Sequence, residues 1–589
     1  MKHVVKEFFH HLTKEDKRKT SFATQDRLMV DLSRQQKIVC LWFGAVFLFL
    51  FVMLFRLGQL QLQKSAEFQL RAERNRVWKV VSRAPRGRII DKNGEVIADN
   101  DLQLSLLYEE NDQRKEMILS HAEAIERLAT EPARIRQNYV RSYPWGPIFS
   151  HLLGYVQTPQ SGDDVVFGRT GIERMANNLL AGRDGLHVYE RNALGEPTRL
   201  LMQQPVQKGE DLQLSVDAQL SKVAFEALGK QRGGVIVSEP KTGRVLAMVS
   251  KPSFLPQVKP TDDQISPWKN EIEAEVVAQS LVAALDFPNN PFLFRPISAL
   301  YPPGSIFKIV TALAGLEYEA FDSETEVLDE GVLRVGDFSY ENWYWRQYGR
   351  AEGEISIIRA IARSNDIFFY KAAEWIGPQK LADFSRLLGL GSPTGIELPG
   401  EQSGLIPDPI WKQQHFGESW YLGNTYHMGI GQGDVQVTPL QLQTVMSMVA
   451  ARGRLCRPQI LLSESVACQE LSLQKESLAT VMSGLRQACQ SGGTAYPFFD
   501  APFEVFCKTG TAEFGAEDAQ GHRPTHGWFT VAVTRQSREG DLPIEELQPE
   551  IVITVFVESD ETNTFKEGSA DAAPVARAIA NWWWEQGNE

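Results

Sequence analysis

Cysteine is scarce: five in 589 residues, at positions 40, 456, 468, 489 and 507, with no Cys-x-x-Cys pair among them. No Cys/His run has zinc-site spacing either, which excludes a zinc-finger-like module. Cys456 and Cys468 could pair in an oxidising compartment, but isolated buried thiols are the simpler expectation for so scattered a set. No basic stripe with interleaved aromatics occurs, and a net charge of −13 argues against a nucleic-acid surface, which needs clustered Lys and Arg. Repeats and low-complexity tracts are absent. With 43% apolar and 23% charged residues, the composition is that of a globular chain long enough for two or three domains.

One segment breaks that pattern. Ile38 to Phe55 is an uncharged run rich in Phe, Leu and Val. As a helix it would span ~27 Å, close to the ~30 Å hydrocarbon core of a bilayer. A cleaved signal peptide would be shorter and would end in small residues, whereas Arg56, Gln59, Gln61 and Gln63 follow here, so an uncleaved anchor is expected over 38–57. The first 37 residues carry a net charge of +4, which favours a cytoplasmic N-terminus, although the stretch after the anchor is basic too. Long domains translocate largely regardless of charge, so the remainder is expected outside.

Downstream, Lys92-Asn93-Gly94 predicts a tight turn between two short strands after Arg86-Gly-Arg-Ile-Ile-Asp91, and a helical, charged stretch is expected from Glu109 to Gln137. Nothing before residue 210 offers a nucleophile with a base, so 58–210 reads as a support domain. From Asp211 the pattern changes. Leu212–Val216, Gly234–Val237 and Val245–Val249 are strand-like, with Lys241-Thr242-Gly243 as a hairpin turn, and strands recur at Val505–Thr511, Trp528–Val533 and Ile551–Val557. Helical segments fill the interval, among them Ser305–Glu319, Ile355–Ile376 and Leu440–Ala451. Strands at both ends with helices between predict an α+β domain whose antiparallel sheet is completed from both ends. The closing Trp582-Trp583-Trp584 reads as core packing.

Acyl transfer through serine needs a nucleophile, a base and oxyanion donors. Ser305-Ile-Phe-Lys308 follows Tyr301-Pro-Pro-Gly304 and opens a helix that is apolar nearly all round. Positions i and i+3 share a face, so the Lys308 amine can approach the Ser305 hydroxyl, and burial would lower its pKa. Other Ser-x-x-Lys tetrads occur at Ser238, Ser266 and Ser472, but the first two contain proline and the last lies in a polar segment. Ser-x-Asp occurs at Ser161, Ser215, Ser364 and Ser569, and Lys-Thr-Gly at 241 and 508. At the second, Gly510 on a strand would let a substrate backbone approach.

Order separates these copies. Ser-x-x-Lys, Ser-x-Asn or a variant, then Lys-Thr-Gly is the motif set of penicillin-binding proteins and serine β-lactamases, and 305, 364 and 508 fall in that order. The resemblance extends further: Arg86 to Gly94 and Gly171-Ile-Glu173 resemble pedestal motifs of class B penicillin-binding proteins, and Leu398-Pro-Gly-Glu401, Gly429 to Gly433 and Thr438-Pro-Leu-Gln441 are similar to that family too. Asp366, Trp411-Lys412 and Trp420 to Gln432 resemble the elongation type, penicillin-binding protein 2, more than the division type.

That likeness implies a penicillin-binding/β-lactamase-like transpeptidase domain over 211–589, an antiparallel sheet with helices on both faces, on a β-rich dimerisation-type pedestal over 58–210. It implies Ser305 as nucleophile toward D-Ala-D-Ala stem peptides and β-lactams, Lys308 as base, Ser364 and Asp366 as relay and cleft support, and Lys508, Thr509, Gly510 and Thr511 around the donor carboxylate. No glycosyltransferase domain is recognisable, so a membrane glycosyltransferase of the shape, elongation, division and sporulation type is the implied partner. Three features depart from the family: Asp366 stands where most members have Asn, Lys92 where Arg is usual, and Leu328–Arg350 lacks the Cys and His of a zinc site found in several relatives, so neither metal nor cofactor is expected. A β-lactamase or carboxypeptidase would need a water-activating group, for which there is no clear candidate. A β-lactam sensor would need an output domain that 37 residues cannot hold, and an inactive scaffold would typically have lost one of the three motifs.

Overall fold

The computed structural model describes residues 22–110, 113–157, 166–256, 290–462, 465–517, 522–538, 542–560 and 563–587. Most of the expected cytoplasmic tail, and the motif copies at Ser161 and Ser266, lie outside these. The described chain forms two compact units.

In one unit (Met1–Val80 with Leu186–Gln203) the apolar run sits in a single helix, Phe22–Gly58. Gln36–Gln63 is long and apolar enough to cross a membrane, and its large side chains from Ile38 to Leu57 are exposed. A second helix, Ser65–Arg76, follows, and a three-stranded sheet joins Val77–Ser82, Gly185–Arg191 and Pro197–Gln204 in that order.

The larger unit holds everything else. Its N-terminal part is built on the long strand Val96–Glu110, which pairs with Ile89–Ile90, Gln113–Ile118 and Ile135–Ser142. The expected helix over 109–137 shrinks to His121–Thr130, opened by a Ser120/Glu123 capping box. The Leu-x-Leu-x-Leu alternation at 102–106 is what prevails, because it lays Leu104 and Leu106 against Leu119, Ala124 and Ile135. The Lys92-Asn93-Gly94 turn forms as expected, held by Asp91, whose Oδ1 accepts from the Asn93 and Glu95 amides at 2.8 Å each. Asp91 Oδ2 also caps Ala218, the start of helix Ala218–Ala227.

The two pedestal-like motifs meet in one buried ion cluster. The Glu173 carboxylate, 0% exposed, takes Arg86 Nη2 at 2.7 Å and Arg141 Nε at 2.6 Å. Two ion pairs in so dry a place hold only because hydrogen bonds satisfy most of the remaining donors.

The central sheet has five antiparallel strands: β1 (Gly233–Ser238), β2 (Val245–Lys251), β3 (Phe503–Glu513), β4 (Thr525–Ser537) and β5 (Ile551–Val557), in the order β2-β1-β5-β4-β3. It is completed from both ends of the domain, as the strand pattern predicted. Alternation decides the layers. Phe529, Val531, Val533, Ile553 and Val555 face a core with helices Ala218–Ala227 and Ala573–Gln586, while Trp528, Ala532, Val552 and Phe556 face the helical core on the other side. Trp583 is buried in the first core. Leu212–Val216 forms only a two-residue strand, Leu212–Gln213, and Ile355–Ile376 is broken at Ser364 into helices α1 (Ile357–Arg363) and α2 (Asp366–Ile376).

The cysteine expectation is overturned. Cys456 pairs with Cys468 and Cys489 with Cys507, leaving Cys40 as the free one among the described residues. Cys456 and Cys468 are cross-strand neighbours in a small hairpin, a register invisible in their spacing.

Candidate active site

Ser305 sits where the chain tightens. Gly304 takes a left-handed φ of 54° and lies so close to β3 that a Cβ would meet the Thr511 carbonyl at 2.5 Å. The 3₁₀ turn Gly304–Phe307 then leads into helix Lys308–Glu317, buried through Leu316. Tyr301 is tied to the Glu558 carboxylate, and Trp528 Nε1 donates to the Pro302 carbonyl at 3.1 Å, so the entry to the turn is anchored on the sheet. Ser305 lines a cleft of about 1940 Å³ together with Ser364, Asp366, Thr509, Gly510 and Thr511.

Lys308 and Lys508 are both fully buried. Lys308 Nζ donates to Asp366 Oδ1 and to the Ser364 carbonyl, each at 2.7 Å, and lies 3.4 Å from Ser364 Oγ. Lys508 Nζ reaches the same hydroxyl from the strand side at 2.9 Å and also donates to the Thr509 carbonyl. The helical spacing led us to expect Lys308 at Ser305; its hydrogen bonds run instead to Ser364 and Asp366, across the floor of the cleft. Ser364 occupies a left-handed conformation, φ 54°, between α1 and α2, which aims its hydroxyl at both amines. Asp366 begins α2, where the positive helix end favours a carboxylate, and its Oδ2 accepts from the Trp343 amide at 2.8 Å.

Asp366 is therefore paired with Lys308 alone, and its charge reaches Lys508 only at a distance. Desolvation lowers the Lys308 pKa, and contact with Asp366 opposes that shift. Lys508 is pushed well below the ordinary lysine range, by desolvation first and then by the nearby Lys308 charge.

Gly510, which lines the cleft, also has a packing reason to lack a side chain. A Cβ there would come within 3.0 Å of Ile306 and Trp528, so the missing side chain lets the nucleophile turn pack on β3. Of the remaining motif copies among the described residues, one lies at the cleft and the others elsewhere. Ser238 ends β1 and bonds Gln443, with Lys241 in an exposed turn; Ser472 is exposed; Ser215 donates to the Val245 carbonyl; and Ser569 lines the cleft but precedes Asp571, which binds the Glu567 amide. Sequence reasoning missed Asn342 and Trp343, which hold Asp366, Thr494, whose hydroxyl accepts from Thr509 Oγ1 at 2.9 Å, and the Arg346–Glu513 ion pair at the rim. Only the run of aromatics at 343–348 could have flagged that stretch. Among the described residues no three His, Cys, Asp or Glu side chains cluster as a metal would require.

Comparison with known proteins agrees with this geometry. Residues 233–581 match the penicillin-binding protein transpeptidase domain, and residues 121–214 the penicillin-binding protein dimerisation domain. The peptidoglycan D,D-transpeptidase MrdA of Acinetobacter baumannii is 28% identical over 610 residues, covering 92% of this chain and 86% of that protein. Penicillin-binding protein 2 of Helicobacter pylori, solved in complex with MreC, superposes with a TM-score of 0.69 at 26% identity, covering 87% of this chain and 100% of that one. A chain of a peptidoglycan synthase complex that coordinates polymerization and crosslinking gives 0.68 at 25% identity, covering 94% and 98%. The chain belongs to the penicillin-binding protein transpeptidase family, in the class B form that resembles penicillin-binding protein 2.

Proposed function

We propose that this chain is a peptidoglycan D,D-transpeptidase working through a Ser305 acyl-enzyme, with 211–589 as its transpeptidase domain and 58–210 as its pedestal. The observation that carries the assignment of residues is the Ser364 hydroxyl held between two buried lysines, 2.9 Å from one and 3.4 Å from the other, beside the cleft that Ser305 lines.

Ser305 Oγ attacks the carbonyl of the penultimate D-Ala as Lys308, in its neutral form, takes the hydroxyl proton. The backbone N–H groups of Ser305 and Thr511 receive the oxyanion, each such donor being worth about 3 kcal/mol in the barrier. The C–N bond then breaks, and the proton passes through Ser364 to the departing D-Ala amine. Because Ser364 Oγ accepts from Lys508, its own O–H is free to point at the leaving nitrogen. An amine from a second stem peptide attacks the ester, gives up its proton and releases Ser305. Among the described residues Lys508 makes no salt bridge, and the donor's terminal carboxylate, docked by Thr509, Gly510 and Thr511, would supply one. Charging Lys508 in this way favours the neutral form of Lys308, so substrate binding itself prepares the base. A β-lactam would follow the same path as far as the ester.

The two disulfides support an extracytoplasmic catalytic domain with the short N-terminus inside, since such bonds persist in oxidising compartments. The MreC complex of one relative and the synthase complex of another support a role in cell elongation beside a membrane glycosyltransferase of the shape, elongation, division and sporulation type. Labelling with a fluorescent penicillin tests the assignment: Ser305→Ala should lose the label and Ser472→Ala should keep it. A label that survives Ser305→Ala refutes the reading.

A further inference from the structure

We propose that Asp329 is a positioning residue for the Lys308–Asp366 pair, acting through the side chains of Asn342 and Asn365. The inference rests on the reading of Lys308 as base.

Asp329 closes the short strand Glu326–Asp329 and is 1% exposed. Its Oδ1 accepts from the Gly331 amide at 2.6 Å. Its Oδ2 accepts from Asn342 Nδ2 and Asn365 Nδ2 at 2.7 Å each and from the Glu352 amide at 3.3 Å. All four partners are uncharged amides. A carboxylate desolvated this completely is costly unless its lone pairs are filled, and here they are.

The arrangement has a directional consequence. A carboxylate only accepts, so both amide side chains must turn Nδ2 toward it and Oδ1 away. Asn342 Oδ1 thereby meets the Asp366 amide at 3.2 Å, and Asn365 Oδ1 meets the Phe368 amide at 2.9 Å, capping α2. Asn342 is also fixed through its own backbone, which donates to the Gly331 carbonyl at 2.9 Å, and its neighbour Trp343 donates to Asp366 Oδ2. Asp329 thus orients two buried amides, the amides fix the start of α2, and that start presents Asp366 to Lys308 while keeping Ser364 in its left-handed conformation. An Asn at 329 could not do this, since its NH₂ would face at least one N–H donor.

The test is the rate of acylation of the full-length, detergent-solubilised protein by a fluorescent penicillin, as a function of pH. Asp329→Asn should be acylated at least tenfold more slowly, with the loss in the covalent step rather than in initial binding. Its acid limb should move to lower pH, because Asp366 is the group that holds the charge on Lys308; Lys508 on β3 and Arg346 on helix Trp343–Tyr348, the cations facing Lys308, stay in place. Asn342→Ser, which removes the bond to the Asp366 amide and leaves three of the four bonds to Asp329, should change both quantities in the same direction. It decides by the same criteria if Asp329→Asn does not fold. Asp337→Asn, in the exposed turn of the same segment, should match wild type. The inference is overturned if folded Asp329→Asn reacts within twofold of wild type with its acid limb unmoved, or if its rate falls only in proportion to unfolded protein. Failure of the underlying reading shows differently, as label retained in Ser305→Ala or absent from wild type.

Discussion

The bond between Cys489 and Cys507 ties the end of helix Lys475–Ala488 to the residue immediately before Lys508, so opening it tests how the strand side of the site is held. It closes a loop with a sequence separation of 18. Chain-entropy reasoning gives about 3 kcal/mol for a loop of that size, a melting shift of about 4 °C for a domain of several hundred residues. The enclosed loop contains Gly493, Thr494 and Tyr496 of the cleft wall, with Thr494 bonded to Thr509. Other ties remain without the bond: Arg486 to the buried Glu504 of β3, Arg538 to the Cys489 carbonyl at 2.9 Å, and Arg363 to the Gly492 carbonyl at 3.2 Å. Both sulfurs are fully buried, so the perturbation is made by substitution. Cys489→Ala and the double variant Cys489→Ala/Cys507→Ala should both melt about 4 °C lower by calorimetry, the second only slightly lower than the first because the cross-link is already gone. Penicillin acylation should slow about two- to fivefold while Ser305 still labels, a change of under about 1 kcal/mol in the barrier. A melting temperature within one degree of wild type in both variants would refute this account of the bond.

Two further outcomes follow from buried charge. Glu173→Ala strands Arg86 and Arg141 without their carboxylate and should cost about 3–5 kcal/mol by denaturant unfolding, while the fraction that stays folded still takes the label. His526 is buried, its Nδ1 accepting from the Ser559 amide, and desolvation lowers its pKa to about 4. The fold therefore refuses a proton that the unfolded chain accepts below about pH 6.5. Stability should fall from pH 6.5 to 4, by up to about 3 kcal/mol from this group, and His526→Gln should flatten that part of the curve.

Much of the site was legible because its chemistry is local. Proline-glycine entry, apolar helix and strand pointed to the cleft that Ser305 lines and to the buried positions of Lys308 and Lys508, and the hydrophobic alternation of 528–533 and 551–557 placed the sheet. What was not legible is long-range. Lys308 lies 58 positions from Asp366, and its preference for that carboxylate over Ser305 depends on how α2 packs. Asn342 and Asp329 carry no motif, since any buried amide or acid looks alike in a sequence. The disulfides depend on strand register and on the end of a helix meeting β3, which spacing does not encode. The helix expected over 109–137 failed because charged residues suit an exposed strand face as well as a helix.

The central sheet draws β1 and β2 from residues 233–251 and its other three strands from 503–557, which orders events during synthesis. A nascent chain that already carries Ser305 and Lys308 has no β3 against which to seat Gly304 and Ile306, and no second amine for Ser364. Until the strands between Phe503 and Val557 are made, the cleft that Ser305 lines is open on one side. Any truncation before Phe503 therefore removes a whole wall of the cleft, with Lys508, Thr509 and Thr511, rather than loosening it.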